Sequence, residues 1–285
     1  MGARQTDANA GQVEYWNSAV GKKWADYQEP LDRLLSDVRD ELIRRAAPQP
    51  GERALDVGCG TGDTTLALAE RVLPGGEVTG SDISEPLLAI ARRRVEGRAE
   101  IRLLKSDAQT HRFGEGRFDV IASRYGVMFF DDPVSAFANL ARALRPGGRM
   151  AFAAWDSVPN NLWMSASKAA AVARLGSVPA DPPETPGPFA FANTSRVLKI
   201  LAEAGLAEPE VATPDLHLLV DGTPEDAAVL ASAIGPVPRI MNDYGGTDED
   251  LAAIRAATAD AFRPYAAGGI VRVPARVHFF SARRP

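Results

Sequence analysis

Apolar positions along the chain follow two rhythms. Across residues 12–47 they recur three and four apart, through Leu31, Leu34, Leu35, Val38, Leu42 and Ile43, which is the period of an amphipathic helix. The run Pro48-Gln49-Pro50-Gly51 ends it, because proline cannot continue a helix and glycine eases its exit. Short apolar runs follow at Arg53–Val57, 77–80, 100–104, 118–122 and 149–155, alternating with helical patterns at Asp63–Val72, 85–95 and 133–144. The order β-α-β-α-β-β-α-β predicts an α/β fold, a mostly parallel sheet covered by helices on both faces.

Beyond Trp155 the pattern loosens. Proline and glycine crowd residues 181–188, which predicts a long loop. Helices are expected at Leu162–Leu175 and 194–204, then a strand near 210–220, helical stretches at 225–234 and Asp248–Phe262, and a last strand over 271–282. The helices outside the core alternation serve either as a lid over the carboxyl ends of the strands, where open α/β sheets bind ligands, or as covers for the sheet edges. The organisation that follows is an N-terminal helical lid over 1–50, a binding core over 51–156, and, over 157–285, the rest of the core sheet with helical substrate-cap insertions.

Composition narrows the class. With 285 residues, 45% hydrophobic and 24% charged, the chain has the balance of a globular protein able to bury a sizeable core. A net charge of −5 offers no electrostatic footprint for a polyanion, so nucleic acid is not expected as a partner. Residues 1–10 are polar, without the apolar run of a secretory signal, and no apolar stretch approaches the ~20 residues of a membrane span. A cytoplasmic location is expected, and a homo-oligomer stays open. Cys59 is the single cysteine, and no His, Cys or carboxylate cluster has metal-ligand spacing.

The chemistry concentrates in Leu55-Asp56-Val57-Gly58-Cys59-Gly60-Thr61-Gly62, a strand running through glycines into a helix. Gly58 and Gly60 shape a turn that a ligand can approach closely, and Gly62 lets the helix pack beneath it. Dinucleotide enzymes use a related loop, but here Asp63 stands where the G-x-G-x-x-G fingerprint places its third glycine. The Asp56 carboxylate suits a cationic amino group better than a phosphate. About 20 residues further on, Asp82 ends the next strand where this fold recognises ribose, although taken alone it would serve equally as an N-cap-like surface residue. Asp107 ends the third strand, placed to accept from an adenine amino group. Ser123-Arg124-Tyr125-Gly126 follows the fourth strand at the same edge.

With Arg117-Phe118-Asp119-Val120 and Leu144-Arg145-Pro146-Gly147-Gly148, these motifs resemble a class I S-adenosylmethionine-dependent methyltransferase. They are similar to the branch of the ubiquinone and menaquinone C-methyltransferases, with a methyltransferase type 11/25 domain. The likeness covers residues 52–155. It implies a Rossmann-like seven-stranded sheet with an antiparallel last strand, and S-adenosyl-L-methionine as cofactor. Asp56, Gly58, Cys59, Gly60, Thr61 and Gly62 would hold its methionine end, Asp82 with Ile83 the ribose, and Asp107 with Ala108 the adenine. Ser123 and Arg124 would line the approach to a small-molecule acceptor.

Methyl transfer from a sulfonium is an in-line displacement that needs alignment and exclusion of water more than acid or base. Where a base is needed, His111, beyond Asp107, and Tyr125 are the candidates, while His217 and His278 lie in predicted strands as packing residues. Tyr15, Trp16 and Trp24 either cover the cofactor, with a cation–π gain at the sulfonium, or pack a helix on the core. Tyr125, Met128, Phe129 and Phe130 either wall an acceptor pocket or bury a loop. The alternatives to methyl transfer are another reaction that keeps the cofactor, such as cyclisation, and a non-catalytic cofactor-binding protein.

Overall fold

The computed structural model describes residues 9–179, 182 and 184–285. The polar stretch 1–8 lies outside these residues, as does part of the loop expected over 181–188. Four helices precede the sheet: α1 (Ala10–Asn17), α2 (Ala19–Asp26), α3 (Gln28–Leu34) and α4 (Ser36–Ala46). The single helix expected over 12–47 is thus divided. At Ser18 the backbone is extended and its hydroxyl accepts from the Val20 N–H, a local cap that competes with helix continuation. The apolar period survives the breaks because α3 and α4 bury one shared face, with Leu31, Leu34, Val38, Leu42 and Ile43 all in the core.

The core alternation follows as read: β1 (Arg53–Val57), α5 (Asp63–Val72), β2 (Glu77–Asp82), α6 (Glu85–Arg94), β3 (Ile101–Lys105), β4 (Phe118–Arg124), α7 (Pro133–Ala143) and β5 (Leu144–Trp155). Then come α8 (Leu162–Leu175), α9 (Thr194–Glu203), β6 (Ala207–Ala212), β7 (Asp215–Asp221), α10 (Pro224–Ala233), α11 (Val237–Tyr244), α12 (Asp248–Phe262), β8 (Ala266–Ala267) and β9 (Ile270–Arg283). The strand expected over 210–220 is two strands, divided at Thr213-Pro214, where proline has no N–H to give a ladder.

Strand order in the main sheet is β3-β2-β1-β4-β5-β9-β6, a seven-stranded Rossmann-like path. Strands β1 to β5 are mutually parallel, and β9 runs antiparallel between β5 and β6. The first half of the long β9 extends beyond this sheet to pair with β7 and β8. Direction of winding reverses between β1 and β4, which opens a crevice at their carboxyl ends. Leu55, Val57, Val120, Ile121 and Ala122 are all buried there, as strands covered on both faces require. A second small core, Ala171, Val237, Ile240 and Ile254, joins α8, α11 and α12 into a helical cluster. Among the described residues no helix is long and apolar enough to cross a membrane.

Candidate functional site

The crevice is built first from two loops pressed together. Gly58 follows β1 with φ 70°, and a Cβ there would stand 2.6 Å from the Gly126 Cα. A Cβ on Gly126 would in turn meet the Val57 carbonyl at 2.5 Å. Only a residue without a side chain fits either place. Ser123 ties the same strand ends, donating to the Val57 carbonyl at 2.7 Å and accepting from the Gly126 N–H at 3.1 Å. Its hydroxyl is therefore engaged in the scaffold as both donor and acceptor.

Asp56 is fully buried near the end of β1. The Thr65 hydroxyl of α5 donates to its Oδ2 at 2.6 Å, while Oδ1 has no partner. Burial pushes this carboxyl up to about 7, against the pull of the Thr65 hydrogen bond and Arg124, with Asp82 and Asp63 adding to the rise. Asp82 accepts from the Gly60 N–H through Oδ2 and the Ser84 N–H through Oδ1, both at 2.8 Å. It is raised as well, by desolvation, although those N–H groups favour its charged form. Asp56 and Asp82 also push the buried Cys59 thiol upward, after desolvation itself, which keeps it protonated. Thr61 faces Arg94, which donates to its carbonyl at 2.9 Å.

Arg124 is engaged by the scaffold. It pairs with the buried Asp63 at 2.7 Å, and Arg39 joins the same carboxylate at 3.0 Å. Tyr125 sits at φ 67°, an unusual backbone for a residue with a side chain. Its ring stacks on Trp155 with centroids 4.4 Å apart, and its buried hydroxyl has no partner. Burial holds this phenol well above its ordinary value, so it is a proton donor rather than a base.

Helix α1 is seated across the loops that carry the other acids. Asn9 donates to Asp107 Oδ1 at 3.2 Å and accepts from the Asp131 N–H at 3.0 Å. Asn17 donates to the Ile83 carbonyl at 3.0 Å and accepts from the Glu85 N–H at 3.0 Å, and the Ser84 hydroxyl donates to the Trp16 carbonyl at 2.8 Å. The Trp16 ring meets Phe129 edge-on at 5.3 Å and Trp24 at 5.7 Å, whereas Tyr15 is 49% exposed. Trp24 packs on the core from the partly buried side.

The His111 N–H donates to the Asp107 carbonyl at 2.8 Å, but its side chain turns elsewhere. Its ring meets Phe113 edge-on at 4.7 Å and borders a cavity of about 200 Å³ with Thr79, Arg102 and Phe118. The Ala108 carbonyl accepts from Asn139 of α7 at 3.0 Å. A second cavity, about 480 Å³, lies between α4 and α5 beside Arg39, Asp63 and Glu70. Neither is lined by Asp56, Asp82 or Asp107. Among the described residues no cluster of three His, Cys, Asp or Glu could hold a metal. Sequence reasoning passed over Asn9, Asn17, Thr65 and Trp155, since isolated polar residues in helices and a strand tryptophan carry no spacing signal.

Residues 55–152 match a family described as a methyltransferase domain. A demethylmenaquinone methyltransferase of Thermus thermophilus is 44% identical over 126 residues, 42% of this chain and 57% of the relative. The chain thus spans somewhat more than half the length of that relative. A Haemonchus contortus phosphoethanolamine N-methyltransferase in complex with S-adenosyl-L-methionine aligns with TM-score 0.55 and 22% identity, over 87% of this chain and 52% of that one. The [4+2]-cyclase SpnF aligns with TM-score 0.53 and 21% identity, over 87% and 80%. At such identities the two structures establish the shared fold.

Proposed function

We propose that this chain, whose residues 55–152 are a class I S-adenosylmethionine-dependent methyltransferase domain, transfers the cofactor's methyl group to a small-molecule acceptor. The observation that carries the reading is Asp56 Oδ1, a buried carboxylate oxygen at the crevice with no hydrogen-bond partner. Leaving such an oxygen unmatched is costly, and an ammonium group beside it removes the cost. S-adenosyl-L-methionine, when bound, supplies both an ammonium and a methyl group on a positively charged sulfur.

The chain's own residues do the rest by holding and enclosing. Asp56 takes the amino group, and Gly58 and Gly60 let the backbone approach. Asp82, already fixed by the Gly60 and Ser84 N–H groups, accepts from ribose hydroxyls with its remaining lone pairs. Asp107 and Ala108 border the adenine. Trp16, held between Trp24 and Phe129, keeps water from the crevice. Tyr125 donates a hydrogen bond toward the acceptor, with Trp155 as the wall behind it. Helices α1 to α4 act as the lid, and α8 with α10 to α12 cap the acceptor.

The relative's name, demethylmenaquinone methyltransferase, makes a cyclic aromatic acceptor a candidate. The cap helices α8 and α10 to α12 lie outside the matched family span, so the acceptor is chosen by parts particular to this chain. The net charge of −5 favours a neutral or cationic metabolite over nucleic acid, handled in the cytoplasm. Incubation with methyl-labelled cofactor and a metabolite panel tests the reading. A product heavier by one methylene supports it. Bound cofactor with no label in any acceptor, or a product isomeric with its substrate, contradicts it.

A further inference from the structure

Among the described residues three buried side-chain polar atoms lack a hydrogen-bond partner: Asp56 Oδ1, Tyr125 OH and Gln12 Oε1. The first two belong to the ends of β1 and β4, adjacent strands at the point where winding reverses. Gln12 comes from elsewhere in the chain, the first turn of α1. It lies four residues before Trp16, so at about 100° per residue it leaves the helix on the side the Trp16 ring uses, and Asn9 stands at the N-cap of the same turn. Asn9 reaches Asp107 and the Trp16 ring meets Phe129, so that side faces the loops after β3 and β4.

An amide oxygen only accepts, so whatever it meets must donate. The two asparagine amides at either end of α1 are engaged, Asn9 on Asp107 and Asn17 on the Val13 and Ile83 carbonyls. Of the parts of the ligand, the thioether and carboxylate donate nothing, and the ammonium belongs with Asp56. The adenine amino group and the ribose hydroxyls remain, and Asp107 and Asp82 mark their places below α1.

We infer that Gln12 is a cofactor-binding residue carried by the lid, accepting a hydrogen bond from the adenosyl group when α1 is seated. The inference rests on the methyltransferase reading above. It makes the ligand part of what holds the lid: Asn9, Asn17 and the Trp16 carbonyl anchor α1 to protein, and Gln12 anchors it to the ligand. Cofactor binding and closure of α1 are thereby linked.

Calorimetric titration of the full chain tests this, using S-adenosylhomocysteine and 5′-methylthioadenosine, which keeps the adenosyl group and lacks the amino-acid end. Gln12→Ala weakens both ligands about tenfold, while Asp56→Asn weakens only the first. Hydrogen exchange gives the second readout. Without ligand, the α1 amides of Gln12→Ala exchange as in the wild type, but the added protection on ligand binding is lost. Asn17→Ala, an anchor to protein, speeds exchange without ligand as well. Wild-type affinity of Gln12→Ala for 5′-methylthioadenosine overturns the inference, and so does an exchange pattern like that of Asn17→Ala. Failure of the wild type to bind either ligand removes the methyltransferase reading itself.

Discussion

Thr65 satisfies one oxygen of Asp56 and leaves the other bare: its hydroxyl donates to Oδ2 at 2.6 Å, and Oδ1 stays buried without a partner. The acid is thus held in a fixed direction by α5 while its second oxygen is left for a ligand. Burial sets the carboxyl at about 7 instead of the ordinary 3.8, against the pull of the Thr65 hydrogen bond.

A raised acid keeps its proton longer in the folded chain than in the unfolded one. Between about pH 4 and 7 the unfolded state releases the proton first, so stability falls as pH rises through that window, by on the order of 4 kcal/mol. A ligand ammonium favours the ionised form, so cofactor affinity rises over the same window and binding releases a proton. Asp56→Asn flattens both dependences. Denaturant melts across pH, with calorimetry in buffers of differing ionisation heat, check this. A pH-independent wild type contradicts it.

Ser123→Ala removes the two hydrogen bonds that join the ends of β1 and β4. The expected loss is about 1–3 kcal/mol of stability, since the buried Val57 carbonyl is left unpaired. Urea unfolding of the variant and wild type measures it. Unchanged stability with a tenfold loss of ligand affinity would mean that Ser123 contacts the cofactor directly.

Gly126→Ala places a methyl 2.5 Å from the Val57 carbonyl and 2.8 Å from the Gly58 Cα. The two loops must separate, at a cost of about 1–3 kcal/mol. Because the glycine turn moves with them, ligand affinity falls as well. Melting temperature and calorimetry on the same preparation read both effects, and an unaltered melt counts against the close approach.

Asp82→Ala weakens cofactor affinity by about 1–3 kcal/mol through lost ribose hydrogen bonds to a charged acceptor. It also strands the Gly60 and Ser84 N–H groups, so stability declines with affinity. A folded variant with unchanged affinity would place the ribose elsewhere.

Much of the fold was legible because its signals are local. Helices α5, α8 and α12 begin and end where the apolar period puts them, and the glycine loop falls between β1 and α5 as its spacing requires. What escaped depends on contacts distant in sequence. The N-terminal apolar period reported a buried face correctly, yet Ser18, Tyr27 and Leu35 divide the segment into four helices. Helix α11 follows Pro236 in a stretch too short for periodicity to reveal.

The site divides in the same way. Asp56, Asp82 and the glycines announce themselves by spacing, but spacing does not show which way a side chain turns. Ser123 and Arg124, expected to line the approach to the acceptor, are taken up by Val57 and Asp63. His111, close to Asp107 in sequence, turns to Phe113. Of the N-terminal aromatics, Trp16 meets Phe129, while Tyr15 faces outward.

A crystal structure of the chain with S-adenosylhomocysteine measures the decisive distance. The expected result is the ligand's amino nitrogen within hydrogen-bond reach of Asp56 Oδ1, with the ribose on Asp82 and α1 closed above. A ligand bound elsewhere, or one leaving Asp56 Oδ1 without a partner, contradicts it.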